Sequence, residues 1–599
     1  MKCIVCILSL FWLQHLPGAF AQEVVHVVQE ANNLSWFQSS NGLLFYDKPD
    51  GFPGFQAPVG SGIHAIFSQA LWVSGLNSEG NIRVAAPRYC YETTFCEYSP
   101  GPLTTDGSLE TSQTAFSDYN RFWVVNRAMV ETHHAYFDCL YDLGCDVTET
   151  FPGGYDVPSE FTTWPAHGDV SSGFAENLAP FFDRNENGIY EPFLGDCPSF
   201  CGDAASYLIN NDVGADHTDS HGLPLGIEVH TTVYSFEADS GALGNTLFVR
   251  HKVINRSNEI YQDTYIGTFT DIQMGYFADN WTGTDVQRSM IFSFNGDDFD
   301  EASSFLPGYE DDLAAVGIKY LDGPFKDGNQ EDDPMLSNDF DTYGNQGSGW
   351  DDGIIDNERL ALAHSMSYIN YVQGLPQEFE FPIIPIQTHR ALSGIWRGGT
   401  QLTYGGNGLN YDSNTTTRYM YTGTSDPLLF ATGGVEPEEG NWTEETAARP
   451  PGDRRMIASS GPFTFEPGDI QYLDYAVIFA RDSQNPNEEV LATLQRYADD
   501  INGLHCSILE DNVLSTRYKS DQTLDFKIYP NPASGHFTLE THMSHPGHYT
   551  ISDITGRVAG KGAIQGVNTE ISTLELGPGV YVLRIESNGS TGVKRLVVY

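Results

Sequence analysis

The sequence predicts a mainly β protein: a large, multi-subdomain, β-rich body with few helices, followed by a small immunoglobulin-like β-sandwich at the carboxyl end. Short runs of β-branched and aromatic residues recur along the chain, which suits half-buried pleated strands. Turn formers separate those runs, with 60 Gly and 31 Pro as punctuation. After a polar connector, several more runs crowd into the final stretch, as a small sandwich requires.

The chain opens with Lys2 and an apolar run through Phe11, Trp12 and Leu13 that ends in Ala19-Phe20-Ala21. A basic start, a short apolar core and a small-x-small triplet predict a secretory signal peptide, 1–21, cleaved after Ala21. That core is too short to span a bilayer, and Gly, Asp, Asn or Arg interrupts every later candidate. A soluble mature chain without a transmembrane segment is expected.

Residues 22–506 form the acidic body, longer than one hydrophobic core usually organises, so two or more subdomains are expected. Strands are predicted at Thr231 to Glu237, Leu247 to Asn255, Thr264 to Asp271 and Tyr475 to Arg481. A helix is predicted where Asn485 caps and Pro486 starts a segment with Val490, Leu494, Tyr497 and Ile501 on one face, and another over Asn126 to Phe137. From Tyr309 to Asn357 the chain is dominated by Asp, Gly and Asn and reads as long loops without a core strand. A linker, 507–523, precedes renewed alternation from Phe526, which places the last domain at 524–599.

Against 30 basic residues stand 80 acidic ones, a net charge of -50. Nucleic acid and anionic membrane are poor partners for that surface. With 13% aromatic and 40% hydrophobic residues the acidity is not that of a disordered chain. The cysteines fit an oxidising compartment. Cys3 and Cys6 leave with the signal, and local pairs Cys90 with Cys96, Cys139 with Cys145 and Cys197 with Cys201 suggest three small disulfide loops, with Cys506 left over. Each loop is worth about 2 kcal/mol by closure entropy. Zinc is the rival reading, but no Cys-x2-Cys pairing is present.

The sharpest motif is Asp183-Arg184-Asn185-Glu186-Asn187-Gly188-Ile189-Tyr190-Glu191, followed by Asp196. Calcium needs six to eight oxygens around a tight turn. Here Asp183, Asn185 and Asn187 would give side-chain oxygens at alternate positions, Ile189 a carbonyl, and Glu191 or Asp196 the closing acid. The EF-hand's twelfth position is Leu194 rather than Glu, so the match is to a shorter, non-EF structural Ca2+ loop, with a metal-free Asx-rich turn as the other reading. Asp351-Asp352-Gly353-Ile354-Ile355-Asp356-Asn357-Glu358 has the same flavour with looser spacing. Asp271, Asp279, Asp285 and Asp297 could converge on one ion or face solvent as scattered acids. His217 and His221 lie four apart, with Glu228 and His230 beyond, but in a turn-like context without H-E-x-x-H; surface or strand-packing histidines are the default there and at His133-His134. No nucleophile elbow, Walker loop or dinucleotide fingerprint is visible, and no catalytic residue is assigned.

The tail carries Tyr529-Pro530-Asn531-Pro532, then Asp553-Ile554-Thr555-Gly556-Arg557, Gly579-Val580-Tyr581-Val582 and Lys594-Arg595-Leu596-Val597-Val598. These residues resemble the type A C-terminal sorting domain of the type IX secretion system, the Por secretion tail of Bacteroidota. The resemblance implies export through the type IX machinery to the medium or the outer cell surface. The body, through Gly60-Ser61-Gly62, Ala70-Leu71-Trp72, Trp164-Pro165-Ala166-His167-Gly168, Tyr404-Gly405-Gly406-Asn407-Gly408 and Pro451-Gly452-Asp453-Arg454-Arg455, resembles a widespread set of secreted Bacteroidota proteins without an assigned activity. The expected function is a calcium-stabilised binding or adhesion protein for a glycan or cell-envelope ligand; the alternative is a secreted hydrolase of polysaccharide or peptide.

Overall fold

The computed structural model describes residues 23–141, 144–238, 240–335, 346–370, 376–409, 413–438, 440–481, 489–502, 526–541, 547–553, 558–564, 566–574, 576–577, 579–587 and 590–598. The expected signal, 1–21, and the linker, 507–523, lie outside them.

Two large antiparallel sheets make the body, with two small two-stranded ones beside them. The first runs His26–Ala31, Leu34–Ser39, Phe55–Gln56, His64–Leu76, Tyr261–Ile272, Arg454–Phe465, His364–Ile369, with Ile82–Ala85 also on His64–Leu76. The second runs Asn280–Asp285, Met290–Asn295, Ala315–Asp322, Ile470–Ala480, Thr246–Asn255, Ile227–Ser235, Ala204–Asn211, and both Ser99–Pro100 and Trp123–Asn126 pair with that last strand.

The sheets pack face to face over one shared core. Trp36, Ile66, Ile266, Met456 and Phe463 of the first meet Val249, Ile291, Ile318, Leu473 and Val477 of the second. Polar groups caught between the sheets bond across the gap: Tyr475 Oη donates to Gln69 Oε1 at 2.8 Å, and Tyr320 Oη to the Ala458 carbonyl at 2.8 Å. Both outer faces are covered as well. Trp123, Trp164 and Tyr207, with Leu494 and Tyr497 of helix Val490–Asp500, close over the second sheet; Trp396, Phe379 and Trp442, with Leu392 of helix Pro385–Leu392, close over the first. A strand buried on both faces has no polar side to show, so Tyr475 to Ala480 within Ile470–Ala480 reads as a continuous apolar run instead of alternating.

The four predicted strands are present as Ile227–Ser235, Thr246–Asn255, Tyr261–Ile272 and Ile470–Ala480. The helix at Asn126 is Arg127–Tyr141, with Asn126 Oδ1 accepting the Met129 N–H. The other spans Val490–Asp500; Asn485 and Pro486 lie outside the described residues. One expectation fails: the supposed loop from Tyr309 to Asn357 contains Ala315–Asp322, a buried strand between Met290–Asn295 and Ile470–Ala480. Its apolar run is short, and the surrounding acids hide it when composition is averaged.

The Cys90–Cys96 and Cys139–Cys145 disulfides are formed, but the expected Cys197–Cys201 bridge is not. Cys197 is held in strand Cys197–Pro198, its buried thiol 3.2 Å from His134 Nε2, while Cys201 is disulfide-bonded elsewhere. Sequence proximity does not outweigh the strand pairing that points the Cys197 side chain into the core.

The tail strands, Phe526–Ser534, His536–Thr541, Gly547–Asp553, Val558–Ile564, Asn568–Ser572, Gly579–Ser587 and Ser590–Val598, pair only with one another among the described residues. They enclose a separate core of Phe526, Phe537, Leu539, Ile551, Leu583 and Leu596. No helix among the described residues is long and apolar enough to cross a membrane.

Candidate functional site

A cleft of about 520 Å³ opens beside the edge strand of the second sheet. Strands Asn280–Asp285 and Met290–Asn295 set its floor. Their register places Trp281 opposite Phe294 and Gly283 opposite Phe292, so the three rings share one face. Gly283 makes room for this: a Cβ there would lie 2.4 Å from Phe292 Cζ. Trp281 Nε1 donates to the Arg449 carbonyl at 3.1 Å, which fixes the indole. Tyr421 to Ser425, Asn441 and Thr443 to Glu445 form one wall, and Leu491 and Gln495 of the helix Val490–Asp500 another. A second hollow of about 200 Å³, bordered by Tyr404, Asp426 and Glu436, adjoins it through Thr422–Thr424.

The charges in the cleft are mostly committed. Arg288 pairs with Asp285 at 2.9 Å and makes two contacts to Asp499, at 2.8 and 2.9 Å. Glu444 accepts from Arg454 Nε at 3.0 and 3.2 Å, with both side chains buried. Burial raises the Glu444 carboxyl above its ordinary value, and Arg454 opposes that shift. Exposed Glu445 adds an acid.

The calcium-type loop lies elsewhere. Residues 183–196 are closed at their base by the pairing of Phe182 with Cys197. Buried Asp196 braces the two arms, Oδ1 accepting the Arg184 N–H at 2.8 Å and Oδ2 the Glu191 N–H at 2.7 Å. Glu186 and Gly188 take positive φ, 58° and 76°, which tightens the turn. Asn185 Oδ1 accepts from Asn187 N, Asn187 Oδ1 from Ile189 N, and Glu191 Oε2 from the Asn187 amide at 2.8 Å. Asp183 Oδ2 accepts the Gly188 N–H at 2.6 Å, whereas its Oδ1 is buried without a partner. Burial opposes the charge on Asp183, but backbone N–H groups led by that of Gly188 hold its carboxyl below the ordinary value. An all-oxygen turn with one orphaned carboxylate oxygen fits a hard cation such as calcium.

The second acidic motif is laced to residues 326–333. Asp356 Oδ1 accepts from the Asn329 and Gln330 N–H groups, Glu358 Oε1 from that of Asp333, and Lys326 pairs with Asp333 at 2.6 Å. The scattered acids do not converge as a foursome. Asp271 is buried with Tyr89 and Arg455, and Asp285 belongs to the cleft. Asp279 and Asp297 do fall in one cluster, joined by Asp300 and Glu301; burial first, then those neighbours, pushes Asp279 up to about 7.

His217 and His221 form no metal pair. The His217 side chain is buried, its ring nitrogens 2.7 Å from the Val84 and Asp212 carbonyls, and His221 is exposed at φ 55°. His230 bridges Tyr207 Oη at 2.6 Å and Glu228 at 2.8 Å inside the core, and Glu228 also holds Arg256. Buried His133 bonds Tyr155 Oη. His133, His217 and His230 are packing histidines, and His221 is a surface one. The cleft escaped sequence reading because its rings come from two adjacent strands and its walls from residues 421–445 and the helix; the Trp281, Phe292, Phe294 alternation was its one local signal.

In the tail, Tyr529 is half exposed and its Oη donates to Glu540 Oε2 at 3.0 Å. Pro530 and Asn531 follow it in the same strand, and the side chain of Pro532 lies outside the described residues, as do those of Asp553 and Val597 and the whole of Gly556. Gly579 opens strand Gly579–Ser587, where Tyr581 Oη donates to the Gly577 carbonyl, and Lys594 Nζ lies 5.4 Å over the Phe526 ring. Residues 527–599 match the family described as the secretion system C-terminal sorting domain. The tail is a type IX sorting domain. The sorting domain directs the protein to the medium or the outer cell surface, with the type IX machinery as its partner.

No curated protein matches this sequence. Among solved structures, it is similar to a polysaccharide lyase (8% identity over 62% of this chain and 34% of that one, TM-score 0.16). It is also similar to the BSP domain of a biofilm associated protein (9%, 60% and 61%, 0.13) and to a Faecalibacterium prausnitzii β-glucuronidase (11%, 27% and 30%, 0.11). The chain spans about a third of the length of the lyase and of the glucuronidase. Likenesses this weak carry no functional argument.

Proposed function

We propose that this exported protein binds a neutral glycan chain of the cell envelope or matrix in the cleft beside Asn280–Asp285, with calcium ordering the 183–196 loop. The observation that carries the reading is the shared aromatic face of Trp281, Phe292 and Phe294 in a cleft of about 520 Å³. Sugar rings offer apolar C–H faces to such rings and hydroxyls to the surrounding Thr, Asn and Gln side chains. Neutrality follows from the charges. The lining cation Arg288 is held by Asp285 and Asp499, while Glu445 remains exposed, so an acidic polymer meets repulsion without a free counter-charge. Calorimetry of the mature chain against neutral and uronic acid oligosaccharides tests it. Binding of the neutral set that Trp281→Ala weakens about tenfold supports the reading; binding confined to the acidic set, or unaffected by Trp281→Ala, overturns it.

The hydrolase reading has one observation in its favour, the raised Glu444 carboxyl in the cleft. Arg454 grips both its oxygens, which opposes the protonated form a general acid needs. Release of reducing ends by the wild type, abolished in Glu444→Gln, would favour hydrolysis over binding.

A further inference from the structure

We propose a second divalent cation site, of the calcium class, held by Asp279 and Asp300 where the chain enters the cleft's edge strand. Asp279 is 7% exposed. Its Oδ2 accepts the Asn295 amide at 2.8 Å, and its Oδ1 is buried with no hydrogen-bond partner. An anionic oxygen left without a donor in a buried position is costly enough to require an explanation. Asp300, fully buried, faces the same cluster and is fixed by two backbone donors, Tyr276 N at 2.8 Å and Tyr309 N at 2.5 Å. The backbone is shaped around it: Gly275 has φ 57°, and a Cβ there would lie 1.8 Å from Asp300 Oδ2. Exposed Asp297 and Glu301 stand at the rim.

No Lys, Arg or His pairs with any of these four acids among the described residues. Other buried carboxylates are paired with a cation: Asp271 with Arg455, Glu228 with Arg256, Glu444 with Arg454. Asn280, also fully buried, adds a second orphan oxygen, Oδ1. The donors are all oxygen, which selects a hard cation over zinc. Among the described residues, only Cys90, Cys96 and Asp219 bring three acidic, thiol or imidazole ligand atoms within 4.8 Å of one another, and those two cysteines are disulfide-bonded. A cation would draw Asp279 and Asp300 together and clamp residues 296–310 to the start of the strand that floors the cleft.

The test is calcium titration of the chelated mature chain by calorimetry, alone and as Asp183→Ala and Asp279→Asn variants. The expected result is a calcium equivalent lost in Asp279→Asn and retained in Asp183→Ala. Equal stoichiometry in Asp279→Asn and wild type overturns the site, whatever happens to the 183–196 loop. Should Asp279→Asn fail to fold, the exposed rim gives a second measure: Asp297→Asn with Glu301→Gln should weaken this site's affinity severalfold, and unchanged affinity overturns the proposal.

Discussion

Val598 pairs in parallel with Ala533, joining the last strand of the sorting domain to its first. Leu596 and Val598 of that last strand fill the same core as Phe526 and Phe537. The tail sandwich is thus closed by its own ends. Deleting residues 524–599 should leave the mature body in the periplasm, and deleting 590–599 alone should do the same, because the strand between Gly579–Ser587 and Phe526–Ser534 is lost. Cell fractionation reads the outcome, and normal secretion of either truncation rejects it.

The calcium site proposed at the 183–196 loop predicts a calcium-dependent share of stability. At about 1 mM calcium and a Kd of about 0.1 mM, ligation contributes about 1.4 kcal/mol. Chelation should therefore lower the melting temperature, and Asp183→Ala should remove the loop's part of that response. Identical melts in chelator and calcium would reject the assignment.

Gly283 and Phe292 offer a sharper probe of the cleft than removal of a ring. With only 2.4 Å between a Cβ at 283 and Phe292 Cζ, Gly283→Ala must displace the ring. Glycan affinity should fall several-fold in calorimetry, and full affinity would show that the aromatic face is not the binding surface.

Acid sensitivity should come from buried histidines. Burial pushes His251 and His364 down to about 3, whereas an unfolded histidine titrates near 6.5. Their stabilising contribution is complete above about 6.5 and is lost as pH falls towards 3. Asp271, pushed up to about 7 by burial against the pull of Arg455, acts oppositely: its contribution is present at low pH and lost as pH rises through 7. The difference between His251→Gln and wild type isolates one group. The wild-type melting temperature should drop more steeply from pH 7 to 4, and parallel curves would refute the account.

Cys201 is disulfide-bonded, while Cys197 keeps its thiol and the other described cysteines pair with each other. With Cys3 and Cys6 in the expected signal, peptide mapping of the mature chain should link Cys201 to Cys506. Burial, with Asp196 nearby, pushes the Cys197 thiol up to about 12, so it should alkylate only after denaturation. A 197–201 crosslink in the map would contradict both statements.

The sequence made the β class, the strands from Ile227 to Ile272 and the sorting domain legible, since each rests on local pattern. It did not reveal Ala315–Asp322, whose apolar run is embedded among acids, nor that both sheet faces are covered, because Trp396 and Trp442 reach the first sheet from long loops. Cys197 misled for the same reason: spacing says which thiols are near in the chain, and strand pairing decides where they point. The Asp183 motif was visible because its oxygens alternate within a few residues, whereas Asp279 and Asp300 are brought into one cluster only by tertiary structure.

The first sheet sets His64–Leu76 against Tyr261–Ile272, and that strand against Arg454–Phe465. Nearby strands cover only one edge of His64–Leu76; the other stays open until Tyr261–Ile272 is made. While the chain emerges, long apolar strands wait unpaired for partners hundreds of residues away, a slow and aggregation-exposed topology. A secretion route that accepts finished cargo must then tolerate a lag between arrival in the periplasm and departure from it.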